Sequence, residues 1–174
     1  MIRIDPKHVR AVEAATKVSD LHEVLQKAVQ LEHATIPPYL LAAYSLKDGP
    51  NSQIKSLLIA IAKDEMLHMA MVGNLLLAIG GAPRFDTEDF IPKYPGPLPM
   101  GIGQGLQVGL KKFSKDLVKD VFMQIERPEN PLHFPVIAEA DGTQYATIGQ
   151  FYGAAKATLQ RLGDAAFVGD PAGK

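Results

Sequence analysis

The sequence predicts an all-α protein, a bundle of two long antiparallel helices and two shorter ones joined by a long irregular crossover. Residues 19–79 hold two apolar patterns with helical spacing, separated by a strong breaker. Prolines and glycines then interrupt the chain from Ala82 to Leu110, which is typical of a crossover without regular structure. Of the 174 residues, 47% are hydrophobic and 21% charged, the composition of a folded globular protein. This length predicts one domain over residues 1–174.

The first long helix is predicted from Ser19 or Asp20 to Leu46. Asp20, followed three residues later by Glu23, is typical of a capping box. The tetrapeptide Lys47–Pro50 ends the pattern because glycine and proline cannot continue a helix there. Its core-facing stripe consists of Leu21, Leu25, Ala28, Glu32, Thr35, Tyr39 and Leu46.

Two prolines, Pro37 and Pro38, lie inside this first helical pattern. They remove two backbone donors and leave the carbonyl groups near His33 and Ala34 without their usual partners. Two interpretations account for them equally well. One is a kink or bulge that opens space beside Glu32, and the other is a break into two shorter helices.

The second long helix is predicted from Asn51 or Ser52 to Ile79, where Gly80 and Gly81 supply a left-handed C-cap. The short connection makes the two helices antiparallel neighbours. The stripe predicted to face the core consists of Ile54, Leu58, Ile61, Glu65, His68, Val72, Leu75 and Ile79.

Two shorter helices follow the crossover. The first is predicted from Ser114 as N-cap to about Arg127, with Pro128 as its stop, and the second from about Ala146 to Leu162. A second proline-containing loop separates them, and the residues after Leu162 are predicted to form a loop tail.

The chemistry is indicated by charged groups on the apolar stripes. Glu32 interrupts the first stripe, and Glu65 and His68 interrupt the second at i and i+3, which places both on one helix face. An isolated buried carboxylate costs several kcal/mol, so a shared divalent cation would satisfy all three side chains. Oxygen and imidazole ligands suit iron, with manganese as the alternative. The competing interpretation is a hydrogen-bonded pair of Glu65 and His68 at a helix edge, with Glu32 capping against His33.

Three more residues are weighed beside this group. Glu126 is a fourth candidate ligand at the end of a shorter helix, and pairing with Arg127 or a lysine accounts for it as well as a metal does. Tyr39 is either a donor to the site or an ordinary core tyrosine. Gln150 is the polar residue that the last helix offers as a neighbour of the site.

Composition excludes several other classes of function. The net charge of −1 provides no basic surface for nucleic acid. The absence of cysteine removes disulfides, thiolate nucleophiles and iron–sulfur clusters. The N-terminal segment lacks an apolar signal core. The sequence also contains no run of about 18 uncharged apolar residues, which a membrane-spanning helix would need. We therefore expect a cytoplasmic protein that binds neither nucleic acid nor membrane.

The segment LEHATIPPYLLAAYSL, followed by DEMLHMAMVGNLLLAIGGAP, resembles the ferritin-like domain of the iminophenyl-pyruvate dimer synthases of violacein-type bisindole biosynthesis. The similarity continues through YPGPLPMGIGQGL, FMQIERPE and ATIGQFY, over about residues 20–155. The resemblance implies a ferritin-like bundle, non-haem iron and oxidation or coupling of a small amino-acid-derived imine. It also implies Glu32, Glu65 and His68 as the metal ligands.

The sequence departs from that family in two places. Gln150 stands where the family usually has glutamate, and the chain ends soon after Phe167, without the further helix that supplies a second glutamate and histidine. These departures lead to the expectation that the chain is truncated, holds one metal, or is completed by a partner. An oxidoreductase-type domain acting on a small organic molecule is the first hypothesis. The alternative is a non-catalytic structural or binding domain with a degenerate site.

A homodimer is predicted from apolar residues that lie beside the two ligand stripes, because a missing wall would leave them exposed. The alternative is that the crossover covers them within one chain. The residues concerned are Leu57, Leu67, Met71 and Leu76 on the second helix and Leu40, Leu41 and Tyr44 on the first.

Overall fold

The structure, a computed structural model, describes residues 3–126 and 146–168. Within them the chain is a bundle of helices, which confirms the all-α prediction. The helices are α1 (Pro6–Glu13), α2 (His22–Tyr44), α3 (Ser52–Ala78), α4 and α5 (Ile148–Leu162). The fourth helix, α4, consists of three consecutive segments: Lys115–Leu117, the π-helical turn Val118–Phe122, and Met123–Ile125.

Two short antiparallel strand pairs connect segments that lie outside the helices. Strand β1 (Arg3–Ile4) pairs antiparallel with β4 (Ala146–Thr147), so the N-terminal segment lies beside the start of α5. Within the crossover, β2 (Gly96–Pro97) pairs antiparallel with β3 (Gln107–Val108). The crossover is therefore irregular, as predicted, and is closed on itself by a two-residue ladder.

Helix α2 runs unbroken through both prolines, so of the two interpretations of Pro37 and Pro38 the break into two shorter helices is wrong. Pro38 cannot donate to the carbonyl of Ala34, and that oxygen accepts a 2.6 Å hydrogen bond from the Tyr94 hydroxyl of the crossover. One residue further along, the Thr35 hydroxyl donates to the Glu32 carbonyl at 2.8 Å. A side chain from outside the helix thus replaces a backbone bond that proline removes.

The start of α2 differs from the prediction. Asp20 does not form a capping box with Glu23; its Oδ2 instead accepts from the amides of Thr16 and Lys17, at 3.0 and 3.1 Å. Glu23 pairs with Arg84 at 2.9 Å, beyond the end of α3. Asp20 therefore stabilises the turn before the helix, and Glu23 binds a neighbouring loop.

The end of α3 agrees with the prediction. Gly80 has a φ of +75°, and its amide donates to the Leu77 carbonyl at 3.0 Å. The Gly81 amide donates to the Leu76 carbonyl at 2.8 Å. These paired bonds form a Schellman motif, which satisfies the last carbonyl groups of the helix.

The shorter helices include one that the sequence reading missed. Helix α1 follows Asp5, whose Oδ1 accepts from the Lys7 amide at 2.9 Å, and Pro6 occupies its first position. The predicted N-cap of α4 is confirmed, because Ser114 Oγ accepts from the Leu117 amide at 3.0 Å. The end predicted for α4 at Arg127 lies outside the described residues, as does the end of the loop tail.

The two long helices are buried to different extents. The stripe predicted on α2 is buried throughout the helix. Helix α3 packs mainly against α2, so its buried side is narrow: Ile54 is 40% exposed and His68 is also exposed, against prediction. Leu76, predicted to lie on an open face, is instead buried in the core. The other side of α3 carries exposed apolar residues.

Candidate metal centre

Three side chains from the two long helices meet near mid-height of the pair. Glu32 comes from α2, and Glu65 and His68 come from consecutive turns of α3. His68 Nδ1 lies 3.7 Å from Glu32 Oε2 and 3.7 Å from Glu65 Oε2. One potential ligand atom from each residue lies within 4.8 Å of the other two. The spacing predicted from the sequence thus brings together three of the four candidate ligands.

The geometry of this group fits a small cation. Ligand atoms about 2.0–2.2 Å from a metal lie roughly 3–4 Å from one another, and the separations to His68 fall in that range. The same 3.7 Å is too long for a hydrogen bond, so the imidazole nitrogen is not hydrogen-bonded to either carboxylate. Two buried carboxylates and an imidazole match the oxygen and nitrogen donors that iron and manganese accept.

Glu65 titrates abnormally because it is buried beside Glu32. Burial, followed by a hydrogen bond with Glu32 and the charge of Glu32, raises the pKa of Glu65 to about 9. Metal-free Glu65 is therefore protonated at neutral pH. A cation would have to displace that proton, so its binding couples to proton release.

Glu32 is positioned by a residue of α5. The Tyr152 hydroxyl donates to Glu32 Oε1 at 2.7 Å, which leaves Oε2 directed toward His68. Burial and the negative charge of Glu32 raise the pKa of Tyr152, so the phenol remains a proton donor. Tyrosine thereby fixes which oxygen of Glu32 faces the group.

Glu126, at the end of α4, is held by a tyrosine hydroxyl as Glu32 is. It accepts a 2.7 Å hydrogen bond through Oε1 from the hydroxyl of Tyr39, a fully buried residue of α2. Burial, followed by the charge of Glu126, raises the pKa of that phenol. Glu126 lines the same cavity as the other three candidates, but it is outside the close group of Glu32, Glu65 and His68. Tyr39 is therefore both a core residue and a donor, while Arg127 lies outside the described residues.

The four candidate ligand residues line one cavity of about 570 Å³. Its remaining wall is largely apolar and comes from α2, α3, the crossover, α4 and α5. The apolar lining residues are Leu31, Met71, Val72, Leu98, Ile102, Ile125 and Ile148. A cavity of this size accommodates a small organic molecule next to the carboxylates.

Gln150 does not join the site. The Gln150 side-chain oxygen accepts from the Thr147 backbone amide at 2.9 Å. The Gln150 backbone amide in turn donates to Thr147 Oγ1 at 3.0 Å. This is a capping box at the start of α5, for which a glutamine serves as well as a glutamate. The expected neighbour of the metal is instead a helix cap.

Tyr152 is the site residue that the sequence reading missed. It belongs to the motif ATIGQFY and lies on α5 one turn after Ile148, which also lines the cavity. The helical spacing of Ile148, Tyr152, Ala155 and Leu159 was the available signal for a core-facing tyrosine. Nothing in the sequence indicated Glu32 as its partner.

Comparisons with known proteins identify a family and one relative. The family model described as Ferritin-like matches residues 25–174. The chain is 26% identical over 194 aligned positions to the dichlorochromopyrrolate synthase of Lentzea aerocolonigenes. That alignment covers 91% of this chain but 18% of the relative, so the chain spans less than a fifth of the relative's length. No solved structure matches the chain significantly.

Proposed function

This chain belongs to the Ferritin-like family, and on that premise we propose that it binds one iron ion through Glu32, Glu65 and His68 and acts as an oxidoreductase-type domain on a small organic substrate. The observation that carries the proposal is the close group of two buried carboxylates and one imidazole at the edge of a cavity. Manganese remains the alternative metal. The similarity to a synthase of dichlorochromopyrrolate supports, as a proposal, a substrate that is an amino-acid-derived imine or a related compound.

Bound iron would supply redox chemistry and activation of oxygen next to the cavity. The protein's own residues have separate tasks. Tyr152 orients Glu32, and Glu65 must release its proton before it can bind a cation. The apolar wall excludes water from the organic part of a substrate. Half-exposed His68 lies where exchange of the metal with solvent is possible.

Metal analysis tests the site. The parent protein should hold one equivalent of iron after anaerobic loading, and Glu65→Gln and His68→Ala should each hold much less. Glu13→Gln, which changes an exposed glutamate of α1, is the matched control. Equal iron contents in all four proteins would show that the metal site is wrongly placed. Glu126→Gln, measured beside them, reports whether Glu126 is the predicted fourth ligand.

A non-catalytic domain with a degenerate site is the second candidate. It is favoured by the use of Gln150 as a helix cap and by the exposure of His68. Oxygen consumption by the iron-loaded protein separates the two candidates. Uptake above that of His68→Ala supports the enzyme, whereas uptake equal to that variant supports the binding domain.

We also propose a homodimer formed through the open side of α3. Leu57, Leu67 and Met71 are 65%, 56% and 60% exposed, so the described part of the crossover does not cover them. A symmetric contact would cover these side chains and lie beside half-exposed His68. Light scattering should give a dimer for the parent and a monomer for Leu57→Ser combined with Leu67→Ser. Leu77→Ser, another exposed leucine of α3, is the control, and a monomeric parent would contradict the dimer.

Among the described residues, every helix is too short or too polar to cross a membrane. A cytoplasmic location remains a prediction from composition.

A further inference from the structure

The cavity wall carries three acidic side chains and no strongly basic one among the described residues. Glu32, Glu65 and Glu126 contribute carboxyl groups, and no lysine or arginine is found among the described residues that line it. Glu32 and Glu65 belong to the proposed metal group, which leaves Glu126 for a ligand. A ligand carboxylate beside Glu126 would meet a like charge with no lysine or arginine of the described lining to compensate it. A ligand ammonium group there would meet an acceptor of opposite charge.

The hydroxyl groups near this wall are already used as donors. Tyr152 donates to Glu32, Tyr39 donates to Glu126, and Thr35 donates to the Glu32 carbonyl. The other polar side chains of the described lining, Glu65 and the ring of His68, belong to the proposed metal group. A ligand carboxylate would therefore find no free hydroxyl or amine of the described lining to bind it.

Glu126 is an exposed carboxylate just after the last residue of α4. It is outside the close group formed by Glu32, Glu65 and His68, so the proposed metal site does not use it. Tyr39 occupies its Oε1 and fixes the carboxylate at the end of α4, so its Oε2 can accept from a ligand. Its neighbour Ile125 and the crossover residues Leu98 and Ile102 provide an apolar surface in the same cavity.

From these contacts we infer that Glu126 anchors the amino end of an organic ligand, a protonated amine carried on an apolar or aromatic body. The body packs on the apolar wall and the ammonium group donates to Glu126 Oε2. This inference rests on the proposed function of the cavity as a substrate site, and it gives Glu126 a role separate from the metal. Glu126 would then determine specificity by charge.

Two matched probes test the inference. 2-Phenylethylamine and 3-phenylpropionate share a ring and a short chain but carry opposite charges. Their affinities are measured by calorimetry on the iron-loaded and the metal-free protein, with iron content determined separately. The amine should bind about tenfold or more tightly than the carboxylate, as expected for one charge-assisted hydrogen bond in a partly enclosed site.

The variant Glu126→Gln should lose this preference for the amine and keep the parent's iron content. Its amide oxygen can still accept from Tyr39, so the fold should be retained. Glu13→Gln should behave as the parent does. The inference is overturned if the carboxylate binds as tightly as the amine, if the amine shows no saturable binding, or if Glu126→Gln keeps the preference.

Iron content separates this inference from the proposed function. Loss of iron in Glu126→Gln would make Glu126 a metal ligand and overturn the inference while the metal site stands. A parent that binds no iron but prefers the amine through Glu126 would support the inference while the proposed metal site fails.

Discussion

Helices α2 and α3 are both long and apolar, yet the fold uses them differently. Helix α2 is buried on several sides, since α3, the crossover, α4 and α5 all contact it. Helix α3 is buried along a narrow stripe and exposes leucine and methionine on its other side. The candidate metal group lies where they meet. Glu32 on α2 has a partner from α5, whereas His68 on α3 is half exposed.

This difference shows that an apolar pattern measures what a helix can bury, while the neighbours decide what it does bury. The site combines two buried carboxylates, one from each helix, with an accessible imidazole from α3. We therefore expect substitutions that affect α2 and α3 to change the free energy of unfolding by different amounts. The differences should come from core packing, from the titration of a buried carboxyl group and from a backbone hydrogen bond.

The largest difference is expected from core truncation. Leu25→Ala on α2 removes a fully buried side chain and should lower the free energy of unfolding by about 2–5 kcal/mol. Leu77→Ala on α3 removes a leucine that is 53% exposed, and its cost should stay within about 0.5 kcal/mol. Urea unfolding measures both. Equal losses would contradict the difference in burial.

The second effect concerns the carboxylate on α3. Burial raises the pKa of folded Glu65 to about 9, from an ordinary value of 4.5. Between these values the folded state keeps a proton that the unfolded state has released, so the stability of the metal-free protein falls as the pH rises. Glu65→Gln cannot titrate. It should gain at least about 2 kcal/mol relative to the parent between about pH 5 and about pH 9.

Urea unfolding in the presence of a chelator, repeated across this pH range, tests the titration of Glu65. Glu13→Gln serves as the control because its side chain is exposed. Parallel pH profiles for the parent and Glu65→Gln would mean that the carboxyl pair carries no such proton.

The smallest effect concerns the backbone of α2. Tyr94→Phe leaves the Ala34 carbonyl without its donor and should cost about 1–3 kcal/mol. Burial raises the pKa of the Tyr94 phenol to about 12, so this contribution persists well into the alkaline range. Tyr44 also belongs to α2, but its ring is exposed, so Tyr44→Phe should hardly change the free energy of unfolding.

Pro38 provides a further check of the Tyr94 bond. In a Pro38→Ala background the helix regains the amide that can donate to Ala34, so Tyr94→Phe should cost less there than in the parent. The same cost in both backgrounds would show that Tyr94 acts through packing instead.

Much of the fold followed from local patterns. The breaker after Leu46 and the glycines at 80 and 81 act on their own neighbours, so the spans of the two long helices were predicted almost to the residue. The capping box assigned to Asp20 was wrong because Thr16 and Lys17 compete for the same carboxylate. The unbroken course of α2 could not be predicted either, since the donor to Ala34 comes from Tyr94, 60 residues away.

Helical spacing and a short connection were enough to predict the helical class and to bring Glu32, Glu65 and His68 to one level, because they leave few other arrangements. The contacts between distant segments became visible in the fold: Tyr152 holds Glu32, Tyr39 holds Glu126, and Gln150 caps a helix instead of facing the site. The tertiary structure also decided how much of α3 stays exposed. The physical reason is that these contacts join residues far apart in the chain, and periodicity carries no information about which distant side chain will be the partner.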